Sequence, residues 1–203
     1  MGFANGAVTV VRGDLINDRG AKQWTVFESE EPITGVGFRD GSKITTLYIS
    51  TTGRLLTLVI SGKGQGQPAR TLEESGCAVG CMTIDKRNGD IVVARDDAVY
   101  FYRPPGRGPC YAYEGPKSLV SLYKDYIVLV SPPQSSTMAK LNSLGRFGRS
   151  RADDMFSTST FTLLETDLKF VAHSEALVSQ VKGLFIEWGD LFILTLDGKV
   201  NFF

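Results

Sequence analysis

The chain has 203 residues, with 22 basic and 22 acidic side chains and one histidine, so its formal net charge is zero. That balance excludes a global electrostatic grip on nucleic acid or on an anionic membrane. The length allows one or two ordinary domains, and no apolar run approaches the roughly 18 residues of a membrane-spanning helix. The opening MGFANGAVTVVRGD lacks the basic region and apolar core of a secretory signal. Gly6 stands where a myristoylation motif takes Ser or Thr, so Met1-Gly2 is not read as a lipid-attachment site. Three cysteines, Cys77, Cys81 and Cys110, are few and odd in number, which suits reduced thiols in a cytosolic protein.

In chain order, an Asn5-Gly6 turn precedes a strand over 8–11, and a second strand covers 22–28, with Trp24 and Val26 on one face and Phe27 on the other. A cleaner unit follows: strands over 33–38, 44–49, 55–60 and 69–72, joined by Asp40-Gly41, Thr52-Gly53 and a glycine-rich loop over 62–67. The LLTLVI run at 55–60 is apolar on both faces, as in a strand sandwiched between neighbouring sheets. Residues 76–115 form the clearest unit. Strands over 81–84, 91–94, 98–102 and 110–113 are joined by Arg87-Asn88-Gly89, by Asp96-Asp97 and by a Pro/Gly loop over 104–109. Asn-Gly and Asp pairs tolerate the positive φ that a tight hairpin turn needs.

A third unit has strands over 119–123 and 126–131 around Lys124-Asp125. It is interrupted by 132–157, a polar Ser/Arg/Gly-rich stretch without period that reads as a flexible insertion. It resumes over 158–164 and 168–172. The last unit has strands over 181–186 and 191–196, an Asp197-Gly198 turn, and a strand over 199–203. No helical pattern separates these strands, so parallel βαβ units are not expected. Unit starts near 33, 79, 119 and 181 match, apart from the insertion, the roughly 40–47-residue period of propeller blades. The fold class is therefore all-β: a partial, WD40-like β-propeller domain over 1–203, about four blades of four antiparallel strands, incomplete at both ends. The terminal blades are expected to leave apolar faces in water, with Val8, Val10, Val200 and Phe202 contributing.

Few residues point to chemistry. Cys77 and Cys81 form a C-x₃-C pair, but a structural zinc takes about four ligands, and only Cys110 and His173 remain, both far along the chain. Buried, reduced cysteines beside a strand start are the simpler reading. A cysteine nucleophile would need a partnered base, and His173, read at a strand end, belongs to a turn or a packed position. Lys63 within Gly62-Lys63-Gly64-Gln65-Gly66 is misplaced for a phosphate loop, and no helix follows. Arg12-Gly13-Asp14 reads as a turn, and Trp188-Gly189-Asp190 as a hairpin turn with an aromatic anchor. Lys140, Arg146, Arg149 and Arg151 are basic enough to touch an acidic partner or anionic lipid, but Asp153 and Asp154 dilute them, so a solvated loop is expected. Ser150, between two arginines, is a candidate kinase site. No catalytic, cofactor-binding or metal-binding residue is assigned, and the chain is not expected to be an enzyme.

Five segments in one order carry a family resemblance: GFANGAVTVVRGDLINDRG at 2–20, PITGVGF at 32–38, GCAVGC at 76–81, RGPCYAYEG at 107–115 and EWGDLFILTLDGKV at 187–200. Together they resemble the N-terminal propeller of the vacuolar protein sorting-associated protein eleven family, a core subunit of the HOPS and CORVET tethering complexes. The resemblance implies a non-catalytic scaffold in endosome–vacuole membrane fusion and protein transport. It also implies that the partners are other tethering subunits, with no cofactor, nucleic acid or small-molecule substrate. The implied location is peripheral, on the cytosolic face of late endosome or vacuole membranes. Family members also carry earlier blades, an α-helical solenoid and a RING zinc domain, none of which is in this sequence, so activities of those parts do not transfer. The alternative is a generic WD40-type interaction adaptor, although Gly-His and Trp-Asp signatures are missing. A propeller enzyme is a third class, disfavoured by the single histidine.

Overall fold

The computed structural model describes residues 1–13, 20, 22–41, 44–60, 68–103, 105–133, 159–167, 170–177 and 179–203. The glycine loop over 62–67, the basic cluster, Ser150 and all of the 132–157 insertion except Pro132 and Pro133 lie outside the described residues. The described residues form seventeen β-strands and no helix. Every pairing is antiparallel between strands adjacent in sequence, which is the meander of a propeller blade. The chain divides into two compact units, Met1–Glu114 and Gly115–Phe203.

In the first unit, β1 (Val8–Arg12) and β2 (Lys22–Phe27) form a two-stranded sheet. β3 (Ile33–Asp40), β4 (Thr45–Thr51), β5 (Leu55–Ile60) and β6 (Arg70–Glu73) form a four-stranded blade. β7 (Met82–Ile84), β8 (Ile91–Ala94), β9 (Ala98–Arg103) and β10 (Gly106–Ala112) form another. The expected two-faced burial of β5 is present, and register explains it. Leu56 pairs with Ile49, and Leu58 with Leu47. These four join Val8 and Ile33 in one apolar cluster, with Val26 and Phe27 of β2 packed against it. Thr57, on the opposite face, pairs with Tyr48, which pairs with Gly37 of β3. That face meets the next blade. A Cβ on Gly37 would lie 3.3 Å from Ile91 Cδ1, and one on Gly35 would lie 3.0 Å from Met82 Cβ. Missing side chains on β3 are thus what let β7 approach.

The second unit contains a third four-stranded blade: β11 (Leu119–Tyr123), β12 (Tyr126–Ser131), β13 (Ser159–Glu165) and β14 (Val171–Leu177). It also contains a three-stranded sheet of β15 (Val181–Glu187), β16 (Asp190–Thr195) and β17 (Val200–Phe202). Their inner faces share one core of Tyr123, Val128, Val130, Phe161, Leu177, Val181, Leu191 and Ile193. The Tyr123 hydroxyl donates within reach of the Gly189 and Phe203 carbonyls, both at 3.1 Å, tying β11 to the last sheet.

Several expectations need correction. Val8 is 0% exposed, because the first hairpin packs its apolar face onto β3–β6. Val10 is half-buried, whereas Val200 and Phe202 are exposed as expected, Phe202 at 75%. Trp188 is no anchor. It is 91% exposed, because Trp188 (φ 53°) and Gly189 (φ 86°) form the two-residue tip of the β15–β16 hairpin, which carries the side chain clear of the sheet. β10 starts at Gly106, inside the expected loop. Pro109, which has no N–H to give, falls where the ladder skips between Arg107 and Cys110 on an outer strand. β14 runs on to Leu177, so His173 sits within a strand rather than at its end.

The Asp197-Gly198 turn stands as expected. The Gly198 N–H donates to the Thr195 carbonyl at 3.0 Å, and Gly198 has φ +80° with open space around a Cβ. Backbone strain is therefore the whole penalty of a side chain there. Gly198→Val is expected to cost about 1–2 kcal/mol, a fall in Tm of roughly 2–8 °C for a chain of this size. Thermal unfolding of the variant checks it, and an unchanged Tm would remove the turn from its assigned place.

Candidate functional site

The β9 sequence AVYFYR alternates, so Tyr100 and Tyr102 share one face and Phe101 the other. Tyr100 pairs with Cys110, and Tyr102 with Arg107, across the bulged edge strand β10. Arg107 then lies with its guanidinium carbon 4.5 Å from the Tyr100 ring centre, and Arg95, from the β8–β9 turn, lies 4.8 Å from the same ring. Both distances are within cation–π range. Arg95 is fixed further by donating through Nε to the Gly76 carbonyl at 2.7 Å, through Nη1 to the Tyr102 hydroxyl at 3.0 Å, and through Nη2 to the Ser75 carbonyl. Arg107 reaches Glu73 of β6 at 3.7 Å, and Arg70 donates to the Pro105 carbonyl at 3.3 Å, so the two blades are joined along their outer strands. On the opposite face, Phe101 and Tyr111 meet edge-on with ring centres 5.2 Å apart.

The electrostatics follow from these contacts. The Tyr100 hydroxyl donates to Asp97, which raises the phenol's pKa and lowers the carboxyl's. Burial raises Tyr102, against the opposing pull of Arg95. Glu31 is lowered chiefly by the Thr51 hydroxyl, with Arg54 at 3.4 Å adding to it. Burial pushes the Asp85 carboxyl up, but the Arg87 backbone and guanidinium bonds outweigh it and leave it lowered. A carboxyl lowered in the folded state stabilises it at pH values above the unfolded pKa, and that contribution is lost as pH falls through the folded value. Met1–Glu114 is therefore expected to lose stability below about pH 4, where unfolded carboxylates begin to protonate. Urea midpoints at pH 7 and pH 3 check this, with the lower midpoint expected at pH 3.

The cysteines are placed by packing. The Cys77 thiol lies 3.0 Å from the Ser50 hydroxyl, which is 2.8 Å from that of Thr34, all three buried. Burial pushes the Cys77 thiol up, the opposite of what an activated nucleophile needs. Cys81 is buried beside the start of β7, and Cys110 is exposed on β10. His173 belongs to the other unit, with Nε2 3.5 Å from Glu175 and its ring 6.1 Å from Phe161. Among the described residues no three His, Cys, Asp or Glu side chains gather as a metal site. Arg12 ends β1 and Gly13 follows, while Asp14 lies outside the described residues.

The Arg95–Tyr100–Arg107 stack was not singled out from the sequence, because its members come from a turn, an inner strand and an edge strand. The available signal was the Tyr-x-Tyr alternation next to RGPCYAY. The Asp97 carboxylate that accepts from the Tyr100 hydroxyl raises that phenol's pKa rather than lowering it. Tyr100 and Tyr102 are buried, at 7% and 0% exposed, so the stack is a packing feature that orders Arg95 and, on the edge strand β10, the exposed Arg107.

Among solved structures, a crystal structure of BBS1N in complex with ARL6DN superposes with a TM-score of 0.58 at 8% identity, covering 97% of this chain and 62% of that one. This likeness concerns fold alone. Among proteins compared by sequence, the mouse vacuolar protein sorting-associated protein 11 homolog is 32% identical over 203 residues, 99% of this chain. The Dictyostelium discoideum homolog is 28% identical over 224 residues, covering 98% of this chain and 23% of its own length. The chain spans about a fifth of the length of the curated relatives it matches, 21% for the mouse protein. A family model described as PEP5/VPS11 N-terminal matches residues 1–203, and the chain belongs to that family.

Proposed function

We propose that this chain is a non-catalytic interaction propeller acting in vacuolar protein sorting, as part of a membrane-tethering complex of the HOPS and CORVET type. The observation that carries the reading is the family match over residues 1–203, which runs through both compact units. The physical support is a set of antiparallel blades whose edge strand β10 holds an exposed Arg107, ordered by stacking on the buried Tyr100, and arginine is a residue type enriched at protein interfaces. In this reading the partners are other tethering subunits. Membrane association is peripheral and comes through the complex, on the cytosolic face of late endosomes or vacuoles. No cofactor, nucleic acid or small-molecule substrate takes part.

The test is replacement of residues 1–203 in the full-length protein by an unrelated propeller of similar size. Other tethering subunits are then co-purified, and clustering of isolated vacuoles is measured. Loss of either function is expected. Full retention of both would overturn the proposal, as would stoichiometric turnover of a substrate by the isolated chain.

A further inference from the structure

A cleft of about 340 Å³ opens between the two blades of the first unit, lined by Arg39, Asn88, Asp90, Arg103 and Pro105. Its residues come from the end of β3, the β7–β8 turn, the approach to β8, the end of β9 and the β9–β10 connection. Asp90 is buried and accepts from Arg103 Nε at 3.0 Å, which fixes one guanidinium on a side chain that is still 62% exposed. The Asn88 side-chain oxygen is taken by the Asp90 N–H at 2.8 Å, so its amide nitrogen is the end left to donate.

The Arg39 side chain has neither a hydrogen bond nor an ion pair among the described residues, yet it has a built bed. Gly89 (φ +75°) lies under its stem so closely that a Cβ there would be 2.5 Å from Arg39 Cδ. Tyr48 lies within electrostatic reach of Arg39 and Asp90 without lining the cleft. Its side chain is 0% exposed, and its hydroxyl has no hydrogen-bond partner. Tyr48 pairs with Gly37, two residues before Arg39 on the same face of β3, so it lies on the face that meets the cleft. Burial raises its pKa, with Arg39 opposing and Asp90 adding, so two of the three cleft charges act on it.

We propose that this cleft is a binding site for a carboxylate side chain of an acidic peptide segment on a partner protein. Two guanidinium groups against one carboxylate give a local charge of +1, which a single carboxylate neutralises. A phosphate, with charge near −2, would leave an excess negative charge facing Asp90. Arginine forks suit a planar carboxylate, which can take two parallel N–H bonds. Pro105 supplies an apolar wall for the methylene groups of the same side chain, and a site of this volume suits a side chain with its flanking backbone. This site does not depend on which assembly the chain joins, because the probe below is a peptide and not a tethering subunit.

The experiment is calorimetric titration of the 203-residue chain with an acetylated, amidated hexapeptide of alternating Glu and Ser, and with its Gln and Ser counterpart. The Glu peptide is expected to bind at least about tenfold more tightly. Arg39→Ala and Arg103→Ala are each expected to weaken it about tenfold. Arg39 is exposed and unpaired, so Arg39→Ala should leave Tm unchanged and keep the test free of folding effects. Asp90→Asn is expected to shift preference toward inorganic phosphate. Equal binding of the two peptides, or binding indifferent to Arg39→Ala at unchanged Tm, would overturn the proposal. So would retention on phosphoinositide vesicles through Arg39 without retention of the Glu peptide.

Discussion

Phe161→Ala is expected to destabilise Gly115–Phe203 by about 3–5 kcal/mol, the range for deleting a fully buried aromatic ring. Phe161 is 0% exposed on β13 and sits at the centre of the core it shares with Tyr123, Val128, Val130, Leu177, Val181, Leu191 and Ile193. Its ring lies 4.9 Å from that of Phe203, so one side chain bridges the four-stranded blade and the last sheet. Strands pinned at both ends by hydrogen bonds cannot collapse into the space left behind, which puts the cost toward the upper end of the range. Domain stabilities run to about 5–15 kcal/mol in total, so the variant should populate a form in which the β15–β17 sheet is open. Urea denaturation and trypsin sensitivity check this. Phe161→Leu should recover most of the loss, because it keeps apolar volume. A loss under about 1 kcal/mol would show that the two sheets do not depend on one core.

Gly76→Ala is expected to cost about 2–3 kcal/mol, at the high end for overpacking. A Cβ there would meet the Thr51 carbonyl oxygen at 2.0 Å and the Thr52 carbonyl carbon at 2.6 Å. These are backbone atoms, so no rotamer change relieves the clash. The Cys77 N–H donates to that Thr51 oxygen at 3.3 Å, and the Gly76 carbonyl accepts from Arg95 Nε at 2.7 Å. Moving the chain to admit a methyl would therefore disturb the Ser50–Cys77 contact and the guanidinium stacked on Tyr100 together. A Tm lower by roughly 4–12 °C and a changed near-ultraviolet tyrosine signal are the expected readings. Wild-type values of both would show that Gly76 is held less tightly than its contacts indicate.

Both variants mark how far the sequence is legible. Local turn chemistry and alternation located nearly every strand. Ile91–Ala94 and Leu55–Ile60 run as expected, Asp197-Gly198 turns where it should, and successive strands pair with their neighbours. The reason is that an antiparallel meander is a local fold. Each strand's partner is the next in sequence, and a tight turn leaves few registers open. The family resemblance was legible in five segments that occur in one order along the chain.

What crosses from one sheet to another was not legible in this way. Val8 and Trp188 look alike as apolar residues near turns. Packing of the first hairpin against β3–β6 buries one, and a positive-φ tip exposes the other. Gly35 and Gly37 read as weak strand positions until β7 is seen pressed against them. The Arg95–Tyr100–Arg107 stack and the Arg39–Asp90–Arg103 cleft each draw on residues from separate strands and turns. By itself the sequence determined the all-β class, the turns and the blade repeat, because alternation, turn residues and a period of roughly 40–47 residues are written along the chain, and the family showed as a resemblance in five ordered segments. Tertiary structure alone decided which side chains are buried and which charges converge, because blade faces meet at distances that no short-range pattern encodes.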